Sequence, residues 1–567
     1  MTQPTDGHPS DSDGHASVGD GHPLPAWRDD TRPMQGDGSP TAPIPTGAPS
    51  GYVFPGGPEP VELTDVASGA SSSDPAAPAP RTRSRALLVG GLVTVLALGV
   101  GGTLAVQQLS GSGPRPSDVL PGDTFGYVQV DIDPSAGQKL AAVRFLAKVP
   151  EIKDLESGDA RKKLWDLAVA DSDDDCVKAF DFDRDIDPWL GDRVGLGLRP
   201  GGTPDEPNVV VALQVTDEER ATSTLDRLGD CGDGGDDMDL RAKDGYLILT
   251  ERGEGDATLA AIERGTLSQD ASFTDDMAAL GEQGVAATWW NIGPAIKELS
   301  GDADGVLGFP RPSLPQGVQG RVAAALRFDP GFAEIAGVTR GVGGAQTLEP
   351  VDGDAAALTG LPDDTLAAVH LSGGGQMLGQ MWPELKKQLN DAASMGGMDD
   401  AVAAFEDELG LVLPDDLQAL LGRSLTLSLP DQEFGDDLPA LGATVVTDDP
   451  GRAEEVVRTI EDASGAAGLL TKKVDGDRLY LSTTPDYADR LASEGSLGDV
   501  EAFTAALGDA SDADFALYVD LDRIEDLYLA DVDDEARAAL EAMRSVGVRS
   551  TVTAKGEAEF SFRVVAN

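Results

Sequence analysis

The chain writes nearly the same phrase twice: GTLSQDASFTDDMAAL, holding Leu267 to Phe273, returns as GSLGDVEAFTAALGDA, holding Leu497 to Phe503. The echo extends well beyond one phrase. Leu190-Gly191-Asp192-Arg193 answers Leu421-Gly422-Arg423-Ser424, Thr216 in LQVTDEER answers Thr447 in TVVTDDPGR, and Asp244 of DGYLILT answers Asp475 of DGDRLYLS, each 231 residues on. Leu120-Pro121-Gly122-Asp123-Thr124 answers Leu361-Pro362-Asp363-Asp364-Thr365 at 241. A near-constant offset is what tandem duplication leaves. The chain is therefore expected to fold one architecture twice, over 118–348 and 349–567.

Period-two runs and helical spacing give the order of elements in each copy. TFGYVQVDI (124–132) alternates as a strand, AGQKLAAVRFLAKV (136–149) has helical spacing, and NVVVALQV has the continuous β-branched character of a buried strand. Thr216 or Asp217 caps DEERATSTLDRL, where Glu218 and Glu219 at the start and Arg227 near the end suit the helix dipole. Short turns between neighbouring strands imply antiparallel pairing. The expected fold class is α+β: two tandem copies of a mostly antiparallel sheet, each with helices on one face.

Ahead of the copies, residues 1–85 are rich in Gly, Pro, Ser, Asp and Thr, with no apolar periodicity, and read as a disordered tail. Its Asp-Gly-His repeats, ending at His8, His15 and His22, read as low-complexity drift. ALLVGGLVTVLALGVGGTLAV (86–106) has no charge and, as a helix, is about 31 Å long, enough to span a bilayer. Arg81, Arg83 and Arg85 before it, against Arg115 alone after the linker 107–117 begins, place the tail in the cytoplasm and the copies outside. The expectation is a single-pass, signal-anchored membrane protein. Cys176 and Cys231, the only cysteines, then lie in an oxidising space, where a disulfide would contribute about 4 kcal/mol by loop entropy. Two free buried thiols are the alternative.

Candidate chemistry is sparse. In DFDRDIDPWLGD, Asp181, Asp183, Asp185, Asp187 and Asp192 fall at positions 1, 3, 5, 7 and 12 of a calcium-loop count, which suggests a weak metal site. Ile186 replaces the turn glycine, and only Asp185 among these recurs in the second copy, as Asp416, so a capped helix start competes with that reading. One histidine, His370, lies after the linker, in the strand-like LAAVHLSG; any Ser/His/Asp triad would depend on it. Gly195 and Gly197 in VGLGLRPGG lack the third glycine of a dinucleotide fingerprint. No catalytic residue and no cofactor is implied. Trp289 and Trp290 in VAATWWNIG are candidate ligand contacts, one on each face of a strand, with Leu517-Tyr518 as their counterpart in the second copy.

With 43 Lys plus Arg against 99 Asp plus Glu, the net charge of −56 works against nucleic acid as a partner. The tail, the apolar span, L-P-x-D-T, Y-V-x-V-D, W-L-G, D-G-Y-L-I-L and G-x-L-S-x-x-x-x-F together resemble the bacterial family catalogued as domain of unknown function 3352. The resemblance covers roughly 118–567. It implies an outward-facing envelope protein of a high-GC bacterium, and it carries over no activity, ligand or catalytic residue. Asp407 and Asp462 stand where Cys176 and Cys231 would map, so a disulfide would belong to the first copy alone. The expected function is a non-enzymatic binding or interaction module for an envelope protein, lipid or glycan. The alternatives are a carboxylate-dependent envelope hydrolase and a passive spacer.

Overall fold

A computed structural model describes residues 113–567 apart from 133, 149–161, 204–205, 232–237, 300–317, 344–349, 352–354, 396–399, 436–437, 494 and scattered positions within 163–174 and 530–533. The first half contributes β1 (Gly126–Asp131), β2 (Leu190–Thr203), β3 (Glu206–Val215), β4 (Met238–Lys243), β5 (Tyr246–Glu251), β6 (Ala286–Asn291), β7 (Gln319–Phe328) and β8 (Phe332–Gly343). The second contributes β9 (Thr365–Ser372), β10 (Ser424–Pro430), β11 (Gly442–Val446), β12 (Thr471–Asp475), β13 (Arg478–Ser482), β14 (Phe515–Asp520), β15 (Met543–Ala554) and β16 (Glu557–Ala566). All sixteen join one sheet in the order β12-β13-β11-β10-β9-β14-β15-β16-β8-β7-β6-β1-β2-β3-β5-β4, antiparallel throughout. Each strand of the first half has its counterpart eight strands on, and the order is palindromic about the β8–β16 junction.

This corrects the expected fold class. The two copies do not own separate sheets: β8 and β16 each end a hairpin with a bare outer edge, and they satisfy each other's backbone groups over the registers Thr339↔Ala558 to Phe332↔Val565. Charged residues mark the remaining edges, Arg241 and Lys243 on β4 and Lys472 and Lys473 on β12. Trp289 and Tyr518 are counterparts, because each makes an edge-to-face contact with the phenylalanine of the repeated phrase, Phe273 or Phe503. Following the registers outward from them makes Ala336 the counterpart of Ser561, and these two are cross-strand partners. A pseudo-twofold axis passes through that pair.

The helices lie on both faces, not one. In the first half, the helix Ala271–Ala279 and the 3-10 turn Leu267–Gln269 cover Tyr127, Ile248 and Trp289 on one side. Helices Glu218–Gly229 and Ile292–Glu298 cover Leu196, Leu213 and Leu247 on the other. The second half repeats this with Glu501–Leu507 over Tyr518 and Pro450–Ser464 over Leu479 and Leu481. The reason is in the strands: Val210 and Ala212 point to one core, Val211 and Leu213 to the other, so β3 needs a cover on each face. The repeated phrase is a 3-10 turn leading into a helix, with Leu267 and Leu497 fully buried. One helix, Ala136–Leu146, crosses the junction: Phe145 packs with Phe328 and Ala566.

The membrane-anchor expectation is corrected as well. Among the described residues no helix is long and apolar enough to cross a membrane; the longest, Gly374–Met395, carries Glu384, Lys386, Lys387 and Asp391. The expected span 86–106 and the tail before it lie outside the described residues. The end of the expected linker is structured, with Pro116 and Ser117 buried in the 3-10 turn Pro116–Asp118. Cys176 and Cys231 form a disulfide, with Cα atoms 5.5 Å apart.

Candidate functional site

Three cross-strand pairs on the central strands define the site, and the duplication supplies its control. In the first half β1 and β2 pair Tyr127 with Gly197, Gln129 with Gly195 and Asp131 with Arg193. The same positions of β9 and β10 hold Ala368 with Ser428, His370 with Thr426 and Ser372 with Ser424. All twelve positions share the face covered by the repeated phrase. The two halves use them oppositely.

In the second half the row is sealed. His370 is fully buried, with Nδ1 2.8 Å from the Thr426 hydroxyl and Nε2 3.0 Å from that of Ser372. It is a core histidine whose ring nitrogens are held by hydroxyls. In the first half the row floors a cleft of about 630 Å³, walled by the 3-10 turn at Pro116–Asp118, the helix Ala271–Ala279 and the loop 281–284. Glycines let the wall come close: a Cβ on Gly195 would lie 2.2 Å from the Pro116 ring, and one on Gly197 would lie 3.2 Å from Leu120.

The floor is polar and ordered. The Tyr127 hydroxyl donates to Gln129 Oε1 at 2.7 Å, and Gln129 Nε2 donates to Gln283 Oε1 at 2.9 Å. Arg193 Nε donates to Asp131 Oδ2 at 2.9 Å, and its Nη1 donates to the Gly113 carbonyl at 3.1 Å. Burial pushes the Asp131 carboxyl above the ordinary range, with Arg193 acting against it, and burial likewise raises the Tyr127 hydroxyl. At the rim Glu282 accepts from Ser135 Oγ at 2.8 Å and from Gln138 Nε2 at 3.2 Å. Asp118 accepts from the Arg115 backbone at 2.7 Å.

The residues singled out from sequence lie elsewhere. Trp289 is buried, its Nε1 donating to Asp276 at 2.9 Å, and Trp290 packs on the opposite face over Gly126, its Nε1 donating to Thr288. Neither lines the cleft. The aspartates of 181–192 are used locally: Asp181 caps the turn Phe182–Ile186 through the Arg184 amide, Asp185 pairs with Arg184 and Arg227, and Asp183 pairs with Lys162. Asp187 is half-buried beside that turn, and the Asp192 amide donates to Gln214. Among the described residues no three His, Cys, Asp or Glu converge as a metal site. The cleft residues carry one legible signal. YVQVD alternates, so Tyr127, Gln129 and Asp131 share a face, and setting them beside Ala368, His370 and Ser372 isolates a charge the fold does not require.

No protein-family model matches the chain, and no curated relative matches it. Among solved structures, 6-dimethylallyltryptophan synthase from Micromonospora olivasterospora, crystallised with DMASPP and Trp, aligns at 14% identity over 85% of this chain and 95% of its own. Its TM-score of 0.10 leaves that likeness without weight for fold or ligand.

Proposed function

We propose that this chain is a non-enzymatic binding protein whose ligand site is the first-half cleft, with the second half completing the sheet that holds it. One observation carries the reading: the Asp131–Arg193 pair and the Gln129–Gln283 link line an open cleft, while the matching positions of the same architecture are Ser372, Ser424 and a sealed His370. A charged pair that the fold dispenses with in its own second copy, and that lies on an open cleft rather than under a helix, is suited to a ligand. The disulfide supports an oxidising compartment. Native mass spectrometry of the full chain purified from its source should show a retained small ligand. The doubly substituted chain, Asp131→Ser with Arg193→Ser, should lose it while keeping its circular dichroism; an adduct retained in that variant would sink the reading.

The second reading is a carboxylate-dependent hydrolase of envelope glycans. One observation favours it: burial holds the Asp131 carboxyl above its ordinary range at the floor of a cleft, a property of general acids. Turnover of wall glycan by the native chain, abolished by Asp131→Asn, would establish it. Absence of turnover by the native chain would remove it.

A further inference from the structure

Resting on the cleft as the binding site, we infer that its ligand is an uncharged polyhydroxylated molecule, a saccharide of about two rings in a space of ordinary ligand-pocket size.

The argument starts from the charges. Asp131 and Arg193 answer each other at 2.9 Å across β1 and β2, so the floor presents an ion pair already closed. Glu282 and Asp118 are held by neutral donors, Ser135, Gln138 and a backbone amide. An anionic ligand would meet these three carboxylates, in a chain of net charge −56. A cation would be drawn toward the carboxylates but would meet the guanidinium of Arg193 on the floor and that of Arg115 in the wall.

Hydrogen-bond polarity adds a second constraint. The Tyr127 hydroxyl donates to Gln129, whose amide donates to Gln283, so the Gln283 carbonyl is used and its amide nitrogen is the donor left at the wall. Donors at Gln283 and Arg193 therefore line one space together with acceptors at Glu282, Asp118 and Asp131. The charged group of an ammonium only donates and that of a phosphate only accepts. A hydroxyl does both, and a ring carrying several of them matches a mixed lining that neither ion matches.

The test uses the full chain and named probes: maltose, cellobiose, trehalose and N,N′-diacetylchitobiose as neutral sugars, putrescine as a cation and glucose 6-phosphate as an anion. Saturation-transfer difference NMR identifies binders, and calorimetry measures them at low and high salt. At least one neutral disaccharide should bind with little salt dependence, and its affinity should fall about tenfold or more in the Asp131→Ser, Arg193→Ser chain and in Gln283→Ala. The serines are the residues the second half carries at those positions, and Gln283 lies in a loop, so both variants test the site without relying on one that fails to fold. Salt-sensitive binding of putrescine or glucose 6-phosphate, lost in the double variant, would overturn the ligand class and leave the cleft as the site. Sugar binding unchanged in both variants would overturn the cleft itself. No binding by any neutral sugar would overturn the saccharide inference, while the retained-ligand experiment above still judges the cleft.

Discussion

Asp276 shows what one buried charge does when the fold does not need it. Its carboxylate is almost fully buried, accepts from Trp289 at 2.9 Å and from Arg321 at 2.6 Å, and lies 3.3 Å from Arg340. The second half fills the matching positions with Ala506, Tyr518, Ser545 and Val565, and packs there without an ion cluster. Asp276→Ala alone should lower stability in urea by about 3 kcal/mol, because it takes the carboxylate from Arg321 and leaves Arg340 with Glu557 alone. Adding Arg321→Ser and Arg340→Val should recover most of that loss, and a triple variant weaker than the single one would contradict the comparison. Asp185 behaves differently. The hydrogen bond from Arg184 holds its carboxyl at about 2, below the ordinary aspartate value of 3.8, so its contribution is complete above 3.8 and fades as pH falls toward 2. Asp185→Asn should therefore be less stable than the native chain at neutral pH, and the gap in urea midpoint should close between pH 3.8 and about 2. Sequence placed both aspartates among many and could not say which were buried. Asp276 is buried because its own helix is laid on the sheet, Asp185 is held by the arginines brought to it, and a count along the chain contains neither.

At the scale of elements, two glycines on one strand decide how the cleft is walled. Gly195 and Gly197 are two apart, so they share a face, and Pro116 and Leu120 settle onto the bare backbone they leave. In the second half Thr426 and Ser428 occupy these positions, and Thr426 turns its hydroxyl to His370 instead. Gly195→Thr should displace the turn at Pro116–Asp118, cost about 2 kcal/mol in urea and weaken ligand retention. Unchanged stability and retention would mean the turn is not a fixed wall. Much at this scale was legible. Asp217, one of the two caps expected, caps Glu218–Gly229 through the Arg220 amide, and Asp244-Gly245, with φ of 49° and 84°, makes the tight β4–β5 hairpin. The glycine pair was legible only as a failed nucleotide motif, because its partner Pro116 is remote in sequence. The tryptophan alignment was off by one, matching Trp289 to Leu517 where Phe503 packs on Tyr518, because loops of unequal length separate the copies. The run NVVVALQV already required cover on both faces; placing helices on one face undervalued it.

At the scale of the molecule, the junction is what the duplication could not announce, since two bare edges leave no mark of which edge they will meet. The dyad through Ala336 and Ser561 sets a sharp alternative: β8 of one chain could pair with β8 of another in the same antiparallel geometry, Ala336 opposite Ala336. In that arrangement Glu334 would face Val338. In the intact chain it faces Arg563, whose Nε donates to it at 2.9 Å, while Arg327 reaches its other oxygen at 2.8 Å. Self-pairing thus forfeits one arginine on a nearly buried carboxylate, together with the packing of Phe145 against the end of β16. Both losses favour the mixed junction. Fragments 113–348 and 349–567, expressed together, should purify as a one-to-one complex, and the first fragment alone should self-associate weakly through β8. Replacing Arg563 with Leu should weaken the preference, so that the self-paired share rises by size-exclusion chromatography with light scattering while the Phe145 packing still favours the mixed species. A first fragment that stays monomeric and resists urea as well as the intact chain would show that its bare edge needs no partner, and that the sixteen-stranded sheet is two folded units in contact rather than one cooperative structure.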